Sequence, residues 1–354
     1  MSRTLLSRSP RRRYGLLLDL LVAGGGPVGL ATALYASRAG LSAVVVEPRS
    51  SPIDKACGEG LMPGAVEVLG SLGIEVGGQP IKGIRYTDGH CAAEATFRGR
   101  EGRGVRRSEL HAALAAAVAA ADIPVLRGTV GRVEQSGDQV RAAGLEARYL
   151  AAADGLHSPV RRQLGLDVSS RSRARYGLRR HYRMAPWTDQ VEVHWGPGLE
   201  AYVTPVSSDL VGVALLTSRR APYEEQLTGF PSLLERLPAD AATSTLGAGP
   251  LRQRSSARVA GRVLLAGDAA GYVDALTGEG ISVGLASARA LVDCVAADQP
   301  AAYERRWAQL SRRYRWITEA LLTARSHPRT AALIVPAAQR LPGVFARAVS
   351  QLAQ

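Results

Sequence analysis

The sequence predicts an α/β fold: a parallel strand–helix–strand unit comes first, an antiparallel sheet is inserted after it, and helices close the chain. Three observations carry this. An apolar run, a glycine-rich turn, a helical pattern and a second apolar run succeed one another between Leu16 and Glu47. Alternating stretches punctuated by Gly and Pro fill residues 169–255. A buried-type strand and a long helical pattern then return in the last third.

Each element follows from local pattern. Leu16–Val22 reads as a short buried strand, Gly24–Gly29 as a turn, and Leu30–Ala39 as a helix ended by Gly40. Ala43–Glu47 is the second strand, so the pair is parallel and its crossover right-handed. Residues 61–73 look helical, opened by Pro63, a residue suited to a first helical turn. Ser108 reads as the cap of an alanine-rich helix, Glu109 to Ala121. Tyr176–Met184, Gln190–Trp195, Ala201–Pro205 and Leu210–Leu216 alternate as antiparallel strands do. Arg262–Ala266 is again a buried strand, followed by Gly-Asp and a helix near 280–297. Helical pattern persists to about Arg325, and Pro328, Pro336 and Pro342 break the tail. The expected division is a basic disordered extension over 1–14 and a first α/β part over 15–168, with a small insertion near 75–100. The inserted sheet follows over 169–255, the second α/β part over 256–325, and a helical tail over 326–354.

Composition narrows the partners. The formal charge is +13, yet only Lys55 and Lys82 are lysines and the arginines are scattered. Aromatic residues do not alternate with them as single-strand binders require, so nucleic acid is not an expected partner. The charge suits an anionic substrate, cofactor or membrane surface instead. Cys57, Cys91 and Cys294 are widely spaced and give neither a metal signature nor a disulfide framework. A reducing, cytoplasmic setting is expected. Ser9–Arg13 before an apolar run resembles an export signal, but that run flows into the glycine turn, where cleavage would destroy the unit. The apolar, basic tail from His327 to Gln354 fits a peripheral position on a membrane as well as a packed helix pair.

The glycine turn has the context of a dinucleotide site: strand before, helix after, acid at the end of the next strand. Gly24 makes the tight turn, Gly26 admits a pyrophosphate, and Gly29 lets helix and strand approach; Pro27 opens the helix between them. The helix N-terminus offers N–H donors and partial positive charge to phosphates. Glu47 stands where a carboxylate accepts from ribose hydroxyls, with Arg49 beside it. FAD and NAD remain equal on this unit alone. Two further blocks separate them. Gly267-Asp268 ends a buried strand and leads to Gly278-Glu279-Gly280-Ile281, whose amides can face an anionic ring. Asp154-Gly155 opens the block that runs to Arg161.

In this order the three blocks resemble the glutathione-reductase-type flavoproteins with the p-hydroxybenzoate hydroxylase fold. That group includes class A flavin monooxygenases, geranylgeranyl reductases and flavin-dependent halogenases. The resemblance spans about residues 17–325. It implies a Rossmann-like FAD-binding domain with an inserted antiparallel substrate domain. It implies FAD, with NAD(P)H as a transient electron donor. By the same resemblance Asp268 binds the ribityl hydroxyl and Gly278 and Gly280 approach the flavin ring. Arg107, with Arg106 the adjacent alternative, contacts the ribityl–phosphate chain, and Asp154-Gly155 belongs to the nucleotide site.

The reaction divides three ways. Asp54–Pro63 and Tyr202–Pro205 look like bacterial hydroxylases of lipid-like or polyketide phenols, and this similarity favours an FAD-dependent monooxygenase acting on a small hydrophobic aromatic. His181, Tyr202 and Tyr176 lie in the expected substrate sheet, but spacing singles out none of them as a base. The alternative is a reductase of prenyl double bonds. Leu276–Ser282 departs from the hydroxylase pattern toward geranylgeranyl reductases, and so does Lys55–Leu61, where the Cys57-Gly58 pair would face the flavin. The halogenase segment Trp-x-Trp-x-Ile-Pro is missing. An FAD-binding protein without turnover is the remaining alternative.

Overall fold

The computed structural model describes residues 17–170 and 172–353, so the expected basic extension over 1–14 lies outside the described residues. Leu18–Ala23 forms the central strand, with Leu20, Leu21 and Val22 fully buried. It pairs in parallel with Ala43–Glu47 on one side and Leu145–Ala152 on the other. Val125–Arg127 and Val263–Leu265 extend the parallel sheet outward. Leu18–Ala23, Ala43–Glu47 and Val263–Leu265 are buried along nearly their whole length, which is why they read as apolar runs rather than alternations. Burying each such Leu or Val contributes about 1.5–3 kcal/mol.

Two helices lie together on this sheet. Pro27–Arg38 begins at its proline, three residues earlier than Leu30, because Pro27 has no N–H to leave unsatisfied there. Gly280–Ala296 packs against it along a stripe that includes Gly284, Leu285, Ala288 and Leu291. Arg107–Ala120 is the third helix, and here the expected cap is wrong. Its N-cap residue is Arg106, without a side-chain bond, and Ser108 sits inside the first turn. The Arg107 N–H is taken at 2.9 Å by the carboxylate of Glu59, so a distant acid replaces the local hydroxyl.

The second sheet has seven strands. Tyr176–Arg183, Gln190–Gly196, Leu199–Ser207 and Leu210–Thr217 come from the region 169–255. Gly83–Thr87 and Ala92–Thr96 come from the earlier insertion, and Leu246–Ala248 closes the other edge. The sheet is not purely antiparallel. Gln190–Gly196 runs parallel to Gly83–Thr87, because these neighbours belong to two separate excursions from the α/β part and no hairpin joins them. The long helix Ala302–Ser326 leads to a tail in which Pro328 and Pro342 open helices and Pro336 falls in the first turn of Ile334–Arg340. The last helix, Pro342–Leu352, turns Phe345, Val349 and Leu352 inward and leaves Val344 exposed. Among the described residues no helix is long and apolar enough to cross a membrane.

Candidate functional site

A cavity of about 660 Å³ opens where the parallel strands end and runs under the antiparallel sheet. It joins nearly all the residues singled out in the sequence. Gly24, Gly26, Pro27, Glu47, Arg49, Arg107, Asp154, Gly155, Gly267, Asp268, Gly278, Gly280, Ile281, Cys57 and Tyr202 all line it. His181 does not. It lies fully buried in its strand, on the far side of Glu59 from the cavity, because its ring is bonded to Glu59, Arg179 and Thr243. The three cysteines are free.

The glycine turn shows why each glycine is needed. A Cβ on Gly29 would fall 1.8 Å from the Gly24 carbonyl oxygen, so only glycine permits this approach of helix to strand. A Cβ on Gly26 would meet nothing within 4 Å. That empty cradle faces the first turn of Pro27–Arg38, whose N–H groups have no side-chain cap. Space, donors and helix dipole together fit a pyrophosphate. The Glu47 Oε2 accepts the Gly25 N–H at 2.7 Å, and Arg49 Nε donates to Oε1 at 2.8 Å. Burial would raise the Glu47 carboxyl, but the bonds from Arg49 and Gly25 outweigh it and hold it below the usual range. Glu47 is therefore an anion, placed where a ribose would donate.

Asp154 supplies an orphaned group. Its Oδ2 accepts the Val160 N–H at 3.1 Å, while Oδ1 is buried and unpartnered among the described residues. Burial raises this carboxyl, against bonds from Ser158 and Val160. The Nε atoms of Arg106 and Arg107 are likewise buried and unpartnered among the described residues, but only Arg107 lines the cavity. A ligand rich in hydroxyls and phosphate would satisfy such groups. Arg161 reaches elsewhere. Fully buried, it donates to the carbonyls of Ala269 and Leu156 and so ties the Asp154 block to the Asp268 block. Lys55 bridges the Asp268 carboxylate at 3.5 Å.

Some lining residues carried no separate sequence signal. His111 lies one turn after Arg107 and contacts the Gly25 carbonyl at 2.9 Å through Nε2. Burial is the largest cause that lowers its pKa, so it is neutral near pH 7. That one-turn spacing could have flagged it. Glu59 and Tyr272 also line the cavity. The Tyr202 hydroxyl donates to the Leu276 carbonyl at 2.9 Å, and burial raises its pKa well above the usual tyrosine value.

Glu279 sits between the two loop glycines but points away from the cavity. Its Oε2 is buried without a bonded partner, and burial pushes it up to about 8, against the field of Arg313. A folded pKa raised above the unfolded one contributes stability fully present below pH 4.5 and lost as pH rises through 8. Glu279→Gln should thus stabilise the protein by up to about 5 kcal/mol near pH 9, the interval from 4.5 to about 8 counted at roughly 1.4 kcal/mol per tenfold in proton affinity. Near pH 4 the gain should vanish. Urea unfolding at both pH values checks it; an equal effect at both would show that Glu279 is solvated.

Comparison with known proteins places this geometry. The family model described as FAD binding domain matches residues 18–192. Menaquinone reductase of Mycobacterium tuberculosis (strain ATCC 25618 / H37Rv) is 29% identical over 309 residues, covering 77% of this chain and 74% of the relative. Digeranylgeranylglycerophospholipid reductase 1 of Methanothermobacter thermautotrophicus is 26% identical over 297 residues, covering 76% and 74%. A solved flavoprotein/dehydrogenase from Cytophaga hutchinsonii superposes with a TM-score of 0.82 at 19% identity, covering 95% of this chain and 92% of that one, a likeness of fold.

Proposed function

Because the chain is an FAD-dependent oxidoreductase with the p-hydroxybenzoate-hydroxylase type of fold, we propose that it reduces carbon–carbon double bonds in a polyprenyl chain carried by a quinone or lipid. The lining of the cavity beyond the nucleotide half carries this reading. Met62, Ile84, Val191, Val193, Leu216 and Leu251 give it an aliphatic wall. Such a wall stabilises a long hydrocarbon by burial and offers no specific partner to a phenol hydroxyl. The reductase names of the two relatives support it, as does Cys57 in the cavity lining.

The chain's own residues divide the work. The Gly26 cradle and helix N-terminus would hold the pyrophosphate, Glu47 the ribose, and Asp268 with Arg107 the ribityl–phosphate chain. FAD, once reduced by NAD(P)H, supplies the hydride. The aliphatic wall excludes water and orients the double bond.

Hydroxylation of an aromatic is the second reading, favoured by Tyr86 and Tyr272 in the lining, which would pack on a ring. Neither tyrosine nor histidine singled out in the substrate sheet serves it as a base: Tyr202 is committed to Leu276, and His181 is outside the cavity. The test is to incubate the purified yellow protein with NADPH or NADH under air. Polyprenyl quinones, geranylgeranyl lipids, alkylphenols and alkylresorcinols are offered in turn. Reduction adds two hydrogens to a prenyl compound. A product heavier by one oxygen would establish the second reading, and nucleotide oxidation indifferent to every compound would remove both.

A further inference from the structure

Reducing a double bond consumes a proton as well as a hydride, and the buried pair Glu59–His181 is built to deliver one. We propose that Glu59 is the proton donor of the cavity and that His181, bonded to it through Nε2, recharges it from the Thr243 side. The proposal rests on the reductase reading above.

Glu59 lines the cavity and is only 3% exposed. Its backbone is left-handed, with φ at 59°, a conformation that a residue with a side chain keeps only when its surroundings hold it. Both oxygens are engaged. Oε1 accepts the Arg107 N–H at 2.9 Å, and Oε2 lies 2.6 Å from His181 Nε2. The facing strand makes room for the carboxylate, since a Cβ on Gly212 would come within 3.0 Å of Oε2.

His181 is fully buried, and its tautomer follows from its neighbours. Nδ1 lies 3.0 Å from Arg179 Nη1, and a guanidinium only donates. Nδ1 therefore accepts, and Nε2 carries the hydrogen toward Glu59. The Thr243 hydroxyl, half-buried at the outer rim, lies 3.2 Å from the same Nδ1. Arg179 also bonds Asp54 and stands 3.7 Å from Glu59 Oε1, so one guanidinium faces both acids. A continuous path runs from Thr243 through the imidazole to Glu59 and the cavity. Two other ionisable groups of the lining are committed elsewhere: Lys55 is held by Asp268, and Asp154 caps Val160.

In turnover the His181 Nε2 proton passes to Glu59 while Nδ1, exchanging Arg179 for the Thr243 hydroxyl, takes the hydroxyl proton, which solvent replaces; the ring is left neutral with its hydrogen on Nδ1 until exchange with solvent restores the Nε2 form. Glu59 then gives its proton to one alkene carbon. The π electrons form that C–H bond, the hydride pair from the reduced cofactor forms the other, and the cofactor is left oxidised. Glu59 returns to carboxylate, and the charge balances.

Glu59→Gln keeps the size of the side chain and removes the acid. Prenyl reduction per bound flavin should fall about 10²-fold or more. His181→Gln leaves Glu59 in place but removes the proton it draws on, so prenyl reduction should slow from the first turnover onward. In the cofactor-free protein, ¹⁵N NMR should show the His181 ring with its hydrogen on Nε2, shifted by Glu59→Gln. Wild-type turnover in Glu59→Gln, or a hydrogen on Nδ1, would overturn the relay. If Glu59→Gln fails to hold flavin, undiminished steady-state turnover in His181→Gln overturns it instead. A wild-type product carrying oxygen removes the reductase reading itself, before any variant is made.

Discussion

Gly29→Ala is expected to purify colourless. The added methyl would sit 1.8 Å from the Gly24 oxygen and 3.0 Å from its carbonyl carbon, and both are backbone atoms. The turn has little freedom to yield: the Gly24 N–H is bonded to the Val46 carbonyl at 2.9 Å, and the Leu30 N–H to Gly26 at 2.9 Å. The helix must instead lift from the strand, and its first turn moves off the phosphates. Misplacement by about 1 Å is enough for a loss of order 10²-fold. The overpacked contact should also cost about 1–3 kcal/mol of stability. Gly26→Ala is the informative contrast. Its methyl meets no protein atom within 4 Å, so the variant should melt like the wild type yet lose flavin, because the methyl fills the cradle. Visible absorbance per mole and melting temperature read both effects. Full flavin content in both variants would show that the phosphates bind elsewhere.

Arg175→Met should be the most destabilising single change outside the glycine turn. Arg175 is buried, donating from Nε to Asp274 at 2.9 Å and from Nη2 to Glu200 at 2.7 Å. Glu200 is fully buried and also pairs with Arg325; Asp274 is 2% exposed. Burial raises the Asp274 carboxyl, and Arg175 is what opposes it. Without the guanidinium, one arginine faces two buried carboxylates. Removing one partner of a buried ion pair typically costs about 3–5 kcal/mol. The unfolding free energy should fall by that amount, read as a lower urea midpoint at an unchanged slope, and the deficit should narrow in acid as the carboxyls protonate. A loss below about 1 kcal/mol would mean that water reaches the cluster. Flavin binding should weaken too, since Asp274 braces the segment that leads to Leu276 and Gly278 at the cavity.

The parallel unit was legible because its signals are local. Apolar runs, a glycine turn and an acid at the strand end fall within one βαβ stretch, and each acts on its nearest neighbours. Asp268 and Gly278 could be joined to that unit only through resemblance, and the cavity now holds them together with Gly26 and Glu47. Ser108 shows the limit of local rules. It had the chemistry of a cap, but Glu59, 48 residues before Arg107, took the N–H first.

The chain by itself determined where most strands and helices form and which glycines make the turn between the first strand and its helix, because periodicity and turn chemistry act over a few residues. Tertiary structure decided what no spacing encodes. It buried His181 against Glu59 and out of the cavity, committed the Tyr202 hydroxyl to a backbone carbonyl, and set two strands from separate excursions side by side. Those outcomes depend on contacts between distant segments, where the cost of burying an unpaired polar group selects the partner.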